Sequence, residues 1–145
     1  MKKIIVTGGL GFIGSNLIKL LIKKNYFVIN VDKVNYASNF YNTKDFSNKK
    51  NYKFIKLDIN NSSKFKRILN SYKPIAIFNL AAETHVDRSI DSPSEFIKSN
   101  IVGVFNLLEE FRVFAKKSGA LPWRCYRVAI RCSRLLQNQT IRLGV

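Results

Sequence analysis

Gly8, Gly11 and Gly14 recur at three-residue spacing in Thr7-Gly8-Gly9-Leu10-Gly11-Phe12-Ile13-Gly14, and the same stretch satisfies G-x-G-x-x-G from Gly9. Glycines so placed work by being small. Gly8 and Gly9 permit a tight turn, Gly11 lets the backbone approach a pyrophosphate, and Gly14 lets a following helix lie close to a strand. The N-terminus of that helix offers unpaired N–H groups and the positive end of its dipole to the anion. A turn that is glycine-rich for conformational reasons alone is the competing explanation; the position of this one, between a strand-like and a helical run, disfavours it.

Asp32 follows Gly14 by 18 residues, near the ~20-residue offset of the acid that binds an adenosine ribose. A carboxylate there accepts from a 2′-hydroxyl and repels a 2′-phosphate, which favours NAD over NADP. Lys33 beside it can meet a phosphate or extend to solvent. Asp58 and Ile59 close another strand-like run, at the rim where an adenine would rest; the other reading of Asp58 is a plain cap on the next helix. His85 and Asp87 have the spacing of half a metal site. His85 is the sole histidine, however, and Cys125 and Cys132 are the only cysteines, so neither a metal centre nor a disulfide framework is expected. Asp87 and Arg88 are read as ordering their loop by hydrogen bonds, with phosphate binding by Arg88 as the alternative. Tyr52 and Lys56 match Y-x-x-x-K formally, but in an extended run they stand ~13 Å apart against ~6 Å on a helix. They are not a catalytic pair.

These residues need a scaffold, and the pattern around them supplies one. Lys3 to Thr7, Tyr26 to Val31, Tyr52 to Leu57 and Ile75 to Leu80 read as strands. Residues 12–24, with Phe12, Ile13, Leu17, Leu20 and Leu21 at helical spacing, read as a helix, as do Ser62 to Tyr72 and a longer segment from Pro93 to about Lys117. The last opens on Ser92-Pro93-Ser94-Glu95, with a cap, a proline at the first helical position and Glu at the third, stops at Gly119, and carries Phe105, Leu107, Leu108 and Phe111 as its core face. Lys33 to Lys50 reads as a long loop with a short helix. Strand and helix alternate, which predicts an α/β fold: a Rossmann-type, doubly wound parallel sheet with right-handed crossovers.

The chain has 145 residues, 46% of them hydrophobic and 23% charged, which suits one globular domain and excludes a disordered or collagenous chain. No apolar run reaches the ~20 residues of a membrane span, and Met1-Lys2-Lys3 leads into a strand rather than a signal segment, so a cytoplasmic location is expected. The net charge is +16. Its basic residues are scattered and no nucleic-acid motif accompanies them, so no nucleic-acid partner is expected.

Three stretches carry a family resemblance. The glycine turn resembles the fingerprint of the extended short-chain dehydrogenase/reductase superfamily. Val31-Asp32-Lys33-Val34-Asn35-Tyr36-Ala37-Ser38-Asn39 and Ala81-Ala82-Glu83-Thr84-His85-Val86-Asp87-Arg88-Ser89-Ile90 resemble the dTDP-glucose 4,6-dehydratase family, whose counterparts commonly read V-D-K-L-T-Y-A-G-N and A-A-E-S-H-V-D-R-S-I. Phe96 to Gly103 is also similar, but nucleotide-sugar epimerases share that helix. The resemblance implies NAD as cofactor, with Gly8, Gly11, Phe12, Ile13 and Gly14 at its pyrophosphate and Asp32, Lys33, Val34 and Asn35 around its ribose. It puts Asp58 and Ile59 at the adenine, Leu80, Ala81, Ala82, Glu83 and Thr84 along the nicotinamide side, and Ser99 on the cofactor where the family has Thr. Thr84 would also approach the sugar, where the family has Ser. A nucleotide-sugar substrate, dTDP-glucose, and a homodimer for the full-length family follow from the same resemblance.

The implied reaction oxidises the sugar at C4, eliminates water across C5–C6 and returns the hydride to C6, which requires a base and an acid/base pair. The family's Tyr-x-x-x-Lys and T-D-E-V-Y-G stretches are not recognisable here, so no catalytic residue is assigned. Residues 1–119 are expected to form an incomplete cofactor-binding domain. Residues 120–145 are set apart by five Arg with no Lys and no acid. A change of reading frame is the favoured explanation of that tail; the alternative is a divergent end with an Arg-rich helix from Val128 to Leu136. Without a fifth strand, the fourth would expose an open edge.

Overall fold

Five parallel strands form one sheet in the order β3-β2-β1-β4-β5: β1 Lys3–Thr7, β2 Phe27–Asp32, β3 Tyr52–Lys56, β4 Ala76–Asn79 and β5 Val128–Ile130. The computed structural model describes residues 1–84, 90, 93–117 and 128–130, the last three as backbone. Helix α1 is Phe12–Lys23, α2 Ser62–Tyr72, α3 Pro93–Ile97 and α4 Gly103–Lys117; a π-helical turn, Lys98–Val102, joins the last two, and a 3₁₀ turn spans Phe40–Thr43 in the long loop. This is the doubly wound, Rossmann-type order.

Both sheet faces are covered, which is why β1 and β2 read as continuous apolar runs. Side chains alternate across a strand. Ile4 and Val6 therefore pack with Val28 and Phe46 beneath Ile18, Leu21 and Ile22 of α1. Ile5 faces the other way, into a cluster with Ile29, Val31, Ile77, Phe65 and Leu69 of α2, and Leu107, Phe111 and Phe114 of α4.

The helices are where expected, but two are rotated relative to the periodicity reading. The buried stripe of α1 is Gly14, Ser15, Ile18, Leu21 and Ile22, while Phe12 and Leu20 are exposed. Gly14 sets the phase: a Cβ there would lie 2.3 Å from the Gly8 carbonyl oxygen, so the helix seats on the turn through that residue. In α4, Phe105 is 63% exposed; it lies two residues, or about 200° of helical rotation, from buried Leu107.

Two alternatives are corrected. Asn61, not Asp58, caps α2, its side-chain oxygen accepting from Lys64 N at 3.1 Å. The helix considered from Val128 gives way at Val128–Ile130 to β5, with Ile77 opposite Val128 and Asn79 opposite Ile130. Two β-branched residues of three suit a strand, and β4 offers unpaired backbone groups to receive it. The edge of β4 is thus covered along that register. His85, Asp87, Arg88, Ser92, Gly119, Cys125, Cys132 and the rest of the 120–145 tail, with the roles expected of them, lie outside the described residues.

Candidate functional site

The chain leaves β1 for α1 on one sheet face and reaches β4 after covering the other, so the C-terminal ends of these adjacent strands part and leave a crevice. A pocket occupies it. Gly8 and Gly11 form one wall, Val31, Asp32, Lys33, Asn35, Ala37 and Ser38 a second, Leu57, Asp58 and Ile59 a third, and Leu80, Ala81 and Ala82 the floor, with Ser99 reaching in from the π-helical turn.

The glycine turn is built from backbone. Gly8 adopts φ +69°, and a Cβ there would stand 2.6 Å from the Ala81 nitrogen, so any side chain would collide with the loop after β4. Its N–H donates to Val31 O at 2.9 Å, and Gly11 N–H donates to Gly8 O at 3.2 Å. A Cβ on Gly11 would meet nothing nearer than Gly8 O at 3.4 Å, so that wall is open to close approach. Gly11 caps α1 without a side-chain hydrogen bond. The helix consequently presents its first N–H groups uncapped by any side chain, as an anion requires.

Asp32, at the end of β2, is buried and held on three sides. Its Oδ2 accepts from Leu10 N at 3.0 Å, while Oδ1 accepts from Val34 N and from the Ser38 hydroxyl, each at 2.9 Å. Oδ2 therefore keeps an acceptor position. Val34 pays for the turn that follows with φ +62°, an outlier for a β-branched residue. Asp58 Oδ1 accepts from Asn60 N at 2.8 Å and from its amide at 2.9 Å.

Glu83 does not line the pocket; its side chain crosses to the loop after β2. One carboxylate oxygen lies 2.6 Å from Lys33 Nζ and accepts from the Asn35 amide at 3.1 Å, and the other accepts from the Tyr36 hydroxyl at 3.2 Å. Partial burial by itself raises this carboxyl's pKa, but the Lys33 ion pair and the Asn35 and Tyr36 hydrogen bonds together outweigh it and hold the group below its ordinary range. Its backbone is fastened separately. Glu83 N–H donates to Asn100 Oδ1 at 2.8 Å, and the Asn100 amide donates back to Glu83 O at 2.9 Å. Beneath the floor, the Thr7 hydroxyl donates to Asn79 Oδ1 and accepts from Ala81 N, tying β1 to β4.

Of the residues singled out by sequence, Gly8, Gly11, Asp32, Lys33, Asn35, Asp58, Ile59, Leu80, Ala81, Ala82 and Ser99 meet around one pocket. Val34 lines the shallow groove beside it. The others do not reach the wall, each for a physical reason. Phe12 and Ile13 turn their side chains to solvent and have only backbone N–H groups to offer; Gly14 is packed under Gly8; Glu83 is engaged by Lys33; Thr84 is exposed. Val31, Ala37, Ser38 and Leu57 also line the pocket and were not singled out. The sign of Ser38 was its departure from the glycine usual at that place, since a glycine has no side chain to make the hydroxyl bond to Asp32. Among the described residues no group of three or more His, Cys, Asp or Glu is arranged to hold a metal, and no helix is long and apolar enough to cross a membrane.

A family model described as GDP-mannose 4,6 dehydratase matches residues 5–129, from β1 into β5. The chain belongs to that family. Among its relatives is a dTDP-glucose 4,6-dehydratase of Neisseria meningitidis, 46% identical over 115 residues that cover 79% of this chain and 32% of the relative. Among solved structures, a dTDP-glucose 4,6-dehydratase of Bacillus anthracis in complex with NAD superposes with a TM-score of 0.70 at 31% identity, covering 88% of this chain and 36% of that one. A UDP-glucose 4-epimerase of Thermotoga maritima with UDP-glucose superposes with a TM-score of 0.69 at 34% identity, covering 77% and 34%. The chain thus spans about a third of the length of the relatives it matches. A dehydratase and an epimerase superpose on the chain about equally well, so the fold alone does not choose between them.

Proposed function

We propose that this chain is the cofactor-holding part of an NAD-dependent dTDP-glucose 4,6-dehydratase. The observation that carries the reading is the pairing, in one crevice, of an uncapped helix N-terminus behind a glycine turn with a buried carboxylate 18 residues further along. The resemblance of the stretches at 31–39 and 81–90, together with relatives named for that activity at 40–48% identity, favours the dehydratase over the epimerases.

The residues fit a dinucleotide. Gly11 leaves room for the pyrophosphate and the first turn of α1 directs N–H groups toward it. The remaining acceptor position of Asp32 suits a ribose hydroxyl and opposes a 2′-phosphate, while Ile59 and Leu57 give the adenine an apolar rest beside Asp58. Leu80, Ala81 and Ala82 form a floor small enough for a flat ring to lie against, which excludes water from that face, and Ser99 adds a hydroxyl. When bound, NAD would supply the hydride acceptance at C4 and the return to C6 that this dehydration needs. The chain displays no Y-x-x-x-K other than Tyr52 to Lys56, and that pair lies in β3, so no proton-transfer step is assigned to it.

In this reading the cofactor residues lie within 1–119 and residues 120–145 form a distinct stretch, with the whole enzyme cytoplasmic, homodimeric and acting on a nucleotide sugar. Calorimetric titration of the full chain with NAD tests it. Saturable NAD binding, weaker NADP binding and loss of discrimination in Asp32→Ala are expected; tighter binding of NADP than NAD by the unmodified chain would overturn the assignment. Adding dTDP-glucose to the NAD-loaded chain tests the division of labour, because a 4-keto-6-deoxy product would contradict a purely cofactor-holding role.

A further inference from the structure

Among the described residues Lys33 is the one cation on the pocket wall, next to the carboxylate assigned to the ribose. Left free, its ammonium would reach toward whatever the 2′ position carries. It is not free: Glu83, 50 residues along the chain, holds its Nζ at 2.6 Å with both side chains largely shielded, at 31% and 16% exposure. We infer that Glu83 is a specificity-determining residue for the dinucleotide, acting by ion-pairing Lys33 away from the ribose edge so that Asp32 weighs a hydroxyl against a phosphate there without competition from Lys33. The inference rests on the cofactor reading above and deepens it.

The surroundings sharpen the need for such a residue. A shallow groove adjoins the pocket, lined by Lys33, Val34, Asn35, Lys56, Asp58 and Lys64 among others. Among the described residues Lys56 and Lys64 have no ion-pair partner. A 2′-phosphate displaced from Asp32 would therefore find two unpaired ammonium groups, and release of Lys33 would make three. Asp32 opposes the phosphate, but its carboxylate is already engaged by three donors. Removing the Lys33 ammonium from that balance is the step that keeps the groove from favouring the phosphorylated cofactor.

The carboxylate can be tested without dislodging the loop, because the Asn100 amide clamps the Glu83 backbone and not its side chain. Glu83→Gln keeps hydrogen-bonding capacity toward Asn35 and Tyr36 while giving up the charge. The measurement is the ratio of NADP to NAD affinity, by calorimetry on the full chain at fixed ionic strength, for the unmodified protein, Glu83→Gln, Glu83→Asp, Lys33→Ala and the double variant Lys33→Ala/Glu83→Gln. In Glu83→Gln the ratio is expected to rise by roughly five- to tenfold, the scale of one phosphate–ammonium contact, with NAD affinity within about twofold of the unmodified chain. Glu83→Asp, whose carboxylate is withdrawn by one methylene, should fall between them and serves if the glutamine variant does not fold. The double variant should lose the gain, because the rise depends on Lys33. A merely structural role would weaken both dinucleotides together. An unchanged ratio in Glu83→Gln with NAD binding intact, or an equal rise in the double variant, would overturn the inference alone. Failure of the unmodified chain to bind either dinucleotide would instead overturn the cofactor reading, and this inference with it.

Discussion

The turn after β1 and the loop after β2 face each other across the same crevice, and they are made in opposite ways. The first is backbone: Gly8, Gly11 and Gly14 act by lacking side chains, Gly14 against the Gly8 carbonyl and Gly8 against the backbone of Leu80 and Ala81 beyond β4. The second is side chains: Asp32 is held by Leu10 and Ser38, and Lys33 is held by Glu83 from beyond β4. A wall built by omission tolerates no addition. A wall built from cross-links should weaken link by link.

The largest effect should come from the first region. Gly8→Val adds a Cβ 2.6 Å from backbone atoms of Leu80 and Ala81 at a positive φ, combining overpacking with left-handed strain. Together these cost about 2–5 kcal/mol, a large share of the ~5–15 kcal/mol a domain has in hand. Thermal melting should show a sharp loss of midpoint and NAD binding should vanish; a midpoint unchanged within a degree or two would break the contrast between the walls.

Asp32→Ala should come next. It strands two backbone N–H groups and the Ser38 hydroxyl, costing about 2–3 kcal/mol of stability, and removes the acceptor offered to the ribose, lowering NAD affinity by at least about tenfold. Chemical denaturation and calorimetry measure the two parts separately. Retention of full NAD affinity would show that the second wall does not read the ribose. Asn100→Ala, which removes the two hydrogen bonds that hold the Glu83 backbone, should cost about 1–2 kcal/mol, also read from chemical denaturation. Full stability in that variant would mean the clamp is idle.

The pH dependence gives a smaller and more selective effect. The Glu83 carboxyl is held below its ordinary value of 4.5, so folding favours its ionised form. Its contribution is therefore complete above 4.5 and lost as pH falls through the lowered value. Melting midpoints followed downward from pH 6 should decline less steeply in Glu83→Gln than in the unmodified chain; parallel curves would contradict the ion pair's role. Val34→Gly is the smallest change. Relief of left-handed strain at φ +62°, less the entropy of an added glycine, should raise stability by about 0.5–1 kcal/mol, and a melting point that falls would show the backbone there to be unstrained.

The same contrast governs what was readable in the chain. The glycine turn, the strands and the offset of Asp32 are local patterns, and they describe the fold and most of the pocket. Helix existence was legible and helix rotation was not: Gly14 seats α1 by packing on Gly8, which periodicity does not register, so Leu20 faces out and Ile18 in. Capping of α2 turned on which of two neighbouring side chains reached Lys64 N–H, Asp58 or Asn61. β5 was hidden because Val128–Ile130 resembles no motif and owes its form to the edge of β4. Glu83 was placed on the cofactor by resemblance, whereas its ion pair spans 50 residues and leaves no local trace.

The most direct measurement is calorimetric titration of the full chain with NAD and with NADP, repeated on Asp32→Ala. Saturable NAD binding, weaker NADP binding, and a loss of at least about tenfold in NAD affinity on substitution are expected. NADP binding more tightly than NAD to the unmodified chain, or NAD affinity indifferent to Asp32, would contradict the cofactor reading.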